Sequence, residues 1–367
     1  MHVFQRLKIV NPLSFSTTYY RIKYFRLSKN CRMRVFFLML LVLCAGNCIA
    51  QDPHFSQFYS SPLTLNPAFT GKFDGTFRFA ANYRNQWPSI DHAYETGTAS
   101  VDFHLLPGKI SERDTWGVGF MAYTDKSANA AVTYNYFSAS TAFHKGLDED
   151  GYSQIGLGFQ ATYSNMLINT SKLFFESQLT PTGFDPFKPT GETFNSSTLN
   201  SNYVDVNAGL LFTTSKTDRD NFYAGVSVYH ITRPKQTFTG ALYLLDPRAT
   251  FHAGGYFPAG DITTIHLSAL YSTQAQAHET VLGGAVEFAV SQDYDNPVSF
   301  YAGAWVRLGD AMIPYIGLEY GQFRFGTTYD INTSNLKTAS ESRGGIELSI
   351  IYIAKKAGSK GLPCPKF

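Results

Sequence analysis

From residue 75 onward the side chains alternate between apolar and polar, and this period of two is the strongest constraint on the fold. The segment 75–85 reads GTFRFAANYRN, and its apolar side carries Phe77, Phe79, Ala81 and Tyr83. A strand that separates two different environments requires this pattern. Helical periods are too weak to compete, so we expect few helices, confined to loops.

The alternation recurs in fourteen segments, each about ten residues long, which is the length of a tilted strand that crosses a membrane. The segments begin near residues 75, 94, 115, 132, 151, 203, 220, 249, 262, 280, 297, 311, 322 and 343. The number is even, as in bacterial outer-membrane barrels. The sequence therefore predicts an all-β fold, a transmembrane antiparallel β-barrel over residues 75–354 in the cell outer membrane.

Connection lengths give an independent test of this reading. Connections that the strand count places outside include 85–93, 165–202, 231–248 and 331–342, and the longest connections are among them. Those on the periplasmic side are short and rich in Asp, Asn and Gly. Long outer loops with short periplasmic turns are typical of outer-membrane barrels.

Charged residues inside the strands lie opposite the more apolar face of each segment. They are Asp102, Asp205, Glu287, Glu319, Arg324 and Glu347. A charge that faces lipid at the membrane midplane costs about 2 to 4 kcal/mol, so we predict that all six face the lumen. They could line a water channel or pair across a filled interior, and the residues leave both open.

A large soluble sandwich would explain the alternation equally well. It would not explain the loop lengths or the aromatic content, which is 16% of the chain with 31 Phe and 23 Tyr. Aromatic side chains are enriched where a barrel meets the two membrane interfaces. The barrel is therefore the favoured fold.

The apolar run from Val35 to Leu43 is about nine residues long, too short for a membrane-spanning helix of roughly twenty. Basic residues precede it and small residues follow it, which is typical of a secretory signal with cleavage between Ala50 and Gln51. Lipidation at Cys44 or Cys48 is a less favoured alternative. Residues 1–50 are thus predicted to be a cleaved extension and signal peptide, with Met33 a better start than Met1.

After this cleavage Cys364 would be the one cysteine left, in a predicted periplasmic tail at 355–367. We interpret it as an unpaired, inert thiol, and no disulfide framework survives. The net charge of +2 comes partly from the excised extension. Because no basic stripe remains, nucleic acid is disfavoured as a partner.

No motif for catalysis, metal binding or cofactor binding stands out. There is no HExxH pair for zinc and no strand–turn–helix context for a nucleophilic serine. His230, His252 and His266 are isolated from one another in strands, and we interpret them as lumen or interface residues. Gly pairs at 254, 283 and 344 lie in strands, where glycine marks close packing or a bend. We expect a protein that is not an enzyme.

Residues 51–74, QDPHFSQFYSSPLTLNPAFTGKFD, are aromatic and proline-punctuated and lack any regular period. Fourteen strands enclose more space than side chains alone easily fill. We expect this periplasmic N-terminal arm to pack into or across the periplasmic mouth of the barrel, or to dock on a periplasmic partner. An ordinary lead-in to the first strand is the alternative.

The arm and first hairpin resemble the start of the mature PorP/SprF family, outer-membrane proteins of the type IX secretion and gliding motility machinery of the Bacteroidota. The shared elements are Asp-Pro-x-Phe-Ser-Gln, then Asn-Pro-Ala with a nearby Gly71, then Tyr-Arg-x-Gln-Trp. They supply the candidate partner-binding residues, which are Asp52, Pro53, Phe55, Gln57, Asn66, Pro67, Tyr83, Arg84, Gln86 and Trp87.

Later segments are also similar to the family, among them TWGVGFMAYTDKSAN, FYAGVSVYHITRPKQTF and the closing CPKF. The resemblance therefore covers nearly all of residues 51–367. The chain departs from the family at PSIDHAYE after Trp87 and in the Thr- and Pro-rich loop 165–202. Loops of this kind would choose a partner, so the partner's identity stays open.

The resemblance implies a non-enzymatic barrel that binds the periplasmic ring and motor of type IX secretion, a secreted adhesin, or both. It implies no cofactor. The residues leave one alternative, a transport pore for small or hydrophobic substrates. A pore should conduct ions alone, whereas a secretion accessory should be silent alone and should co-purify with a partner.

Overall fold

The structure is a computed structural model that describes residues 52–90, 94–194, 196–217, 219–236, 243–291, 293 and 296–354. The predicted signal peptide, its cleavage position, the start at Met33 and the tail with Cys364 lie outside these residues. All of them stay predictions.

Strands dominate the described residues. Their bounds are β1 Phe77–Gln86, β2 Tyr94–Leu105, β3 Thr115–Ser127, β4 Val132–Gly146, β5 Gln154–Asn169, β6 Leu179–Thr180, β7 Gly183–Phe184, β8 Thr198–Thr214, β9 Asn221–Tyr229, β10 Lys235–Gln236, β11 Tyr243–Leu244, β12 Arg248–Pro258, β13 Thr263–Gln274, β14 Ala277–Ser291, β15 Val298–Arg307, β16 Ala311–Tyr320, β17 Phe323–Asn332 and β18 Arg343–Ala354. Two short pairs, β6 with β7 and β10 with β11, form small separate sheets.

The other fourteen strands described here close into one antiparallel barrel. Each strand pairs with its neighbours along the chain, and β1 closes the circle against β18, with Phe77 opposite Ala354 and Gln86 opposite Gly345. The predicted barrel and its strand number are confirmed. The largest displacement is that of β8, which begins at Thr198 rather than near residue 203.

Four strands are longer than the predicted ten residues by half or more. β4, β5, β8 and β14 have 15 to 17 residues. β5 and β8 continue to pair as far as Asn169 opposite Thr198. Cross-strand hydrogen bonding therefore extends into the predicted loop 165–202 and shortens it to residues 170–197.

Helical segments are short in the described residues. Pro62–Leu65 and Lys337–Ser340 are single α-helical turns, and 3-10 turns cover Phe58–Ser60, Pro67–Phe69, Thr170–Lys172 and Glu176–Gln178. Three of these six lie in the arm rather than in loops, where Pro62 and Pro67 occupy the first helical position that proline favours. No helix among these residues is long and apolar enough to cross a membrane.

The two faces of the barrel wall differ as the alternation predicts. In β5 the outward residues Ile155, Leu157, Phe159 and Tyr163 are exposed, whereas Gln154, Gln160 and Ser164 are buried. Large apolar side chains remain exposed in this way all around the barrel. Such a band suits contact with lipid tails, because apolar side chains are not stable against water over so wide a surface.

Candidate functional site

The arm lies inside the barrel. Residues 55–73 are buried almost without interruption, and Phe58, Tyr59, Leu65, Ala68 and Phe69 form one apolar cluster with wall residues such as Tyr223 and Trp305. Tyr59 stacks on Trp305 with ring centroids 4.7 Å apart. We call residues 52–73 the plug, and the barrel residues that contact them the wall.

The two ends of the barrel are named here by their connections. The loop mouth carries the three longest connections between barrel strands, 170–197, 230–247 and 333–342, and also 87–93, and the turn mouth is the end where β1 begins and β18 ends. The sequence prediction places the loop mouth outside the cell and the turn mouth in the periplasm.

The first plug residue lies at the loop mouth. Asp52 accepts a hydrogen bond from His230 Nε2 at 2.8 Å and from Gln274 Nε2 at 3.1 Å, and its amide donates to Gln274 Oε1 at 2.8 Å. Arg248 lies 3.5 Å from the same carboxylate. His230 directly follows β9, Gln274 ends β13 and Arg248 begins β12, so all three mark this end of the barrel.

His230 is held between two carboxylates in the connection after β9. Its Nδ1 lies 2.8 Å from Asp205, and its Nε2 lies 2.8 Å from Asp52. Burial lowers the pKa of the imidazole, but Asp52 and Asp205 more than offset this and raise its pKa to about 9. Burial raises the pKa of Asp52, and His230 and Arg248 outweigh it, so this pKa falls well below its usual value. The two groups therefore form a charged pair.

A buried ionic cluster holds the next plug residues. Arg84 pairs with Asp330 at 2.9 Å and donates to the carbonyl of His54. Arg307 pairs with the same Asp330 carboxylate at 3.1 Å and donates to Ser56 Oγ at 2.8 Å. The plug and three wall strands thus share one network of charge-assisted hydrogen bonds.

Glu347 binds the plug main chain directly. Its two carboxylate oxygens accept the amides of Ser56 and Gln57 at 2.8 and 2.9 Å. The Gln57 side chain then accepts from Ser349 at 2.8 Å. A buried amide without a partner costs about 1 to 3 kcal/mol, so this carboxylate replaces the strand partner that the irregular plug lacks.

Midway down the barrel the wall contacts plug carbonyls. Tyr229 donates to Leu63 O at 3.1 Å, and Ser227 donates to Leu65 O at 2.7 Å. Asn66 is fully buried, and its amide donates to the strand carbonyls of Leu210 and Val226 at 3.0 and 3.3 Å. The Asn66 oxygen accepts Ala68 N and caps the turn that follows.

The last plug residues lie at the turn mouth. Asp102 accepts the amide of Gly71 at 2.8 Å and pairs with Arg78 at 2.9 Å. Arg78 in turn donates to Phe69 O at 3.0 Å. The imidazoles of His104 and His144 donate to the carbonyls of Gly71 and Thr70 at 2.8 and 3.1 Å.

Glycines in the wall make room for this close approach. A Cβ on Gly71 would lie 2.6 Å from the Cα of Gly117, and one on Gly158 would lie 2.4 Å from Ala68 N. A Cβ on Gly209 would collide with the Asn66 amide. The strand glycines therefore let the main chain of the plug touch the main chain of the wall.

The plug thus descends the whole lumen, from Asp52 at the loop mouth to Gly71 at the turn mouth. The expected arm in or across the periplasmic mouth is corrected in extent and direction, since its first residues reach the opposite end. The sequence places the arm at the periplasmic mouth because the arm directly precedes the strand that is predicted to begin near residue 75. The wall carboxylates and arginines that fix the path come from residues 78–347.

The motif residues that the resemblance supplied are engaged within the chain. Phe55, Gln57, Asn66, Pro67 and Arg84 are buried. Asp52 and Pro53 are partly buried at the loop mouth. In this conformation the buried members are not available to a partner, and their binding role stays a prediction.

Three further motif residues lie at the end of the first hairpin and not in the plug. Tyr83 is on the outward face of β1 and is 43% exposed. Trp87 follows β1, donates its amide to Gly344 O at 2.8 Å and contacts the ring of Tyr94. Gln86 ends β1 in a half-buried position.

The six charges predicted to face the lumen are all paired inside the barrel. Besides Asp102, Asp205 and Glu347, described above, Glu287 lies 2.9 Å from His266. Glu319 accepts from Arg324 at 2.8 Å and from Tyr301 at 2.6 Å. Of the two arrangements left open from the residues, the paired and filled interior is the one observed.

Other wall residues of the site were not singled out from the sequence. Arg307, Asp330, Arg78, His104 and His144 all contact the plug. A signal existed in part, because glycines at 117, 119, 156 and 158 alternate with large apolar residues and mark an inner face that something approaches closely.

Several small cavities flank the plug. One of about 70 Å³ is lined by Tyr123, Tyr203, Asp205 and His230 near the loop mouth, and one of about 40 Å³ by Tyr59, Trp305 and Arg324. Sites for drug-sized ligands occupy about 300 to 1,000 Å³. Neither cavity has room for such a solute while the plug is in place.

A closed barrel with an apolar outer band and an interior filled by its own N-terminal segment defines a plugged outer-membrane β-barrel. No cluster of metal-ligating side chains occurs in the described residues. The chain belongs to the family described as "Type IX secretion system membrane protein PorP/SprF", whose model matches residues 47–352. The protein accordingly lies in the outer membrane, and the resemblance noted in its motifs is confirmed.

No curated protein matches the chain. Among solved structures, it is similar to a FadL homologue of Pseudomonas aeruginosa, with 12% identity over 80% of this chain and 94% of the other and a TM-score of 0.44. The toluene transporter TbuX of Ralstonia pickettii gives 10% identity, 80% and 92% coverage and a TM-score of 0.44. BamA of Haemophilus ducreyi gives 9% identity, 76% and 70% coverage of this chain and of the other, and a TM-score of 0.39.

Proposed function

We propose that this chain is a non-enzymatic component of the type IX secretion machinery that acts by binding other proteins at the two ends of a plugged barrel. The observation that carries the proposal is the filled lumen of a family member: the plug is bonded from Asp52 to Gly71. While the plug is in place, a barrel filled in this way offers its ends to partners.

The loop mouth is the end at which an exported protein, such as a secreted adhesin, would bind. The connection 170–197 exposes several large apolar side chains, among them Phe174, Phe184 and Phe187, the last of them 95% exposed. Exposed apolar residues outside a membrane band are costly in water, and aromatic residues are enriched in protein interfaces. This connection is also where the sequence departs from the family.

The turn mouth would then face the periplasmic ring and motor of the machinery, including its gliding motility components. Its short turns carry more acidic than basic residues, for example Asp148, Glu149 and Asp150 in the turn after β4. Charges on such a rim steer association and select partners more than they add affinity.

Capture from detergent-solubilised outer membranes tests the binding role. The tagged protein should co-purify with a periplasmic component and with an exported protein, and the double variant Phe184→Ser and Phe187→Ser should lose only the exported protein. Lys188→Ser, an exposed change in the same connection, is the matched control and should retain both. Recovery of the tagged barrel alone would refute the proposal.

Planar-bilayer recording distinguishes the transport pore. The intact chain should be silent, because the plug occupies the lumen. Steady ion conductance by the intact protein without any partner would favour the pore and contradict the binding role.

A further inference from the structure

We propose that the lumen is a peptide-binding site in its own right, and that its plug can be exchanged for a separate polypeptide segment of the same kind. The ligand is an unstructured peptide that carries the plug's Asn-Pro-Ala-Phe-Thr-Gly sequence, residues 66–71. The inference goes beyond the proposed function, because it concerns the interior of the barrel and not its ends.

The wall recognises the plug through many of its main-chain atoms as well as through its side chains. Wall side chains accept the amides of Ser56, Gln57 and Gly71 and donate to the carbonyls of Leu63 and Leu65. Among the described residues, none of the plug joins the barrel sheet. The plug is therefore held as a ligand is held in a groove, by side chains of another element, and not as a strand of the fold.

Most of the wall charges that hold the plug also have partners within the wall. Asp330 forms ion pairs with Arg84 and Arg307. Asp102 pairs with Arg78, and Asp205 pairs with His230. Glu347 stands directly opposite Arg84 in the pairing of β1 with β18. Departure of the plug would therefore leave most of these charges paired, with Arg248, which faces the plug residue Asp52, as an exception. Isolated buried charges are the main cost of emptying a polar interior.

Two positions give the site its sequence preference. Asn66 bonds two strand carbonyls from a fully buried position. Gly71 has φ +72 and meets the main chain of Gly117, so any larger residue there would be both strained and blocked. Thr64, by contrast, is only half-buried, and its hydroxyl bonds within the plug to Ser61 O.

The linker at the turn mouth allows the plug to be released without refolding the barrel. Asp74 and Gly75 are half-buried and Thr76 is exposed, between the last plug residue and β1. A protease site inserted between Asp74 and Gly75 in the full chain can be cut after the protein has folded. The probe is then a fluorescent synthetic peptide of residues 52–74 added to the cut barrel.

The expected result is that the cut plug stays bound, that the labelled peptide replaces it over time, and that excess unlabelled peptide prevents this. The shifted mobility of the unheated barrel in SDS gels shows that the wall remains folded throughout. A scrambled peptide of the same composition should not compete.

Variant peptides test the assigned recognition without altering the barrel. Asn66→Ala and Gly71→Ala peptides should compete roughly tenfold or more weakly, because each loses buried hydrogen bonds or fit, whereas Thr64→Ala should compete within about threefold. The proposal is overturned if the cut plug never exchanges while the barrel is folded, if it leaves and no peptide returns, or if all variants compete alike.

Discussion

Residues 55–57 and residues 66–72 of the plug are both buried, but a close steric fit is added to the wall's contacts with only the second segment. Near the loop mouth the contacts are charge-assisted hydrogen bonds with Arg84, Arg307 and Glu347. Toward the turn mouth, charged contacts with Asp102 and Arg78 are joined by close main-chain contacts, with Gly71 against Gly117 and Ala68 against Gly158. Charged contacts can be titrated or re-paired, whereas a steric fit holds at any pH. The plug should therefore loosen first at the loop mouth.

Removal of Arg84 should produce the largest effect and break the loop-mouth contacts. Arg84→Ala takes one partner from a buried ion pair and leaves His54 O without its donor, which should cost about 3 to 5 kcal/mol. Urea unfolding in lipid vesicles measures this free energy. Arg233→Ala, which breaks an exposed pair with Asp246, should cost about 1 kcal/mol at most. Equal losses would show that the buried cluster does not hold the plug.

A Cβ added at Gly71 tests the turn-mouth contacts. Gly71 and Gly108 have nearly the same backbone conformation, with φ +72 and +74, but only Gly71 has a neighbour within 4 Å of the added Cβ. Gly71→Ala should therefore destabilise by about 1 to 3 kcal/mol more than Gly108→Ala, from overpacking alone. The same urea experiment compares the free energies of unfolding of the two variants. Equal losses would show that the end of the plug does not lie against Gly117.

The smallest expected effect is a dependence on pH at the loop mouth. The pKa of His230 is raised to about 9, so its pairing with Asp52 stabilises fully below about 6.5 and is lost as pH rises through about 9. The lowered pKa of Asp52 preserves the pair down to strongly acidic pH. His230 also faces Asp205, and Asp52 also faces Arg248.

Hydrogen exchange of the amides in residues 52–57, corrected for intrinsic rates, measures this dependence. Their protection should fall about tenfold between pH 6.5 and 9.5, equivalent to about 1.4 kcal/mol, while protection of residues 69–72 should not change. His230→Asn should abolish the difference. If residues 52–57 and residues 69–72 lose protection from exchange to the same extent, the two ends of the plug do not differ in their response to pH.

The barrel was predictable from the sequence because its signal is local and repeated. Ile155, Leu157 and Phe159 alternate with Gln154 and Gln160, and one face must meet lipid in every strand. The sequence predicts the end of β5 too early and the start of β8 too late, because pairing there continues beyond the apolar band, where apolar and polar residues no longer alternate.

The path of the plug was not predictable in the same way. Residues 52–73 have no period, and their partners are distant: Ser56 bonds Glu347, and Asp52 bonds His230. The inward position of Glu347 was visible, but what it would bind was not. Its two acceptor oxygens fit main-chain amides, which any segment of chain would offer.

The central claim, that the N-terminal segment fills the lumen, is tested most directly by a cross-link across the plug and the wall. Thr70 Oγ1 and Ser140 Oγ lie 2.8 Å apart in the structure. Thr70→Cys with Ser140→Cys, in a Cys364→Ser background, should form a disulfide almost completely in native outer membranes, as mass spectrometry would detect. If both thiols stay free and alkylatable in a folded barrel, the segment lies elsewhere and the account is wrong.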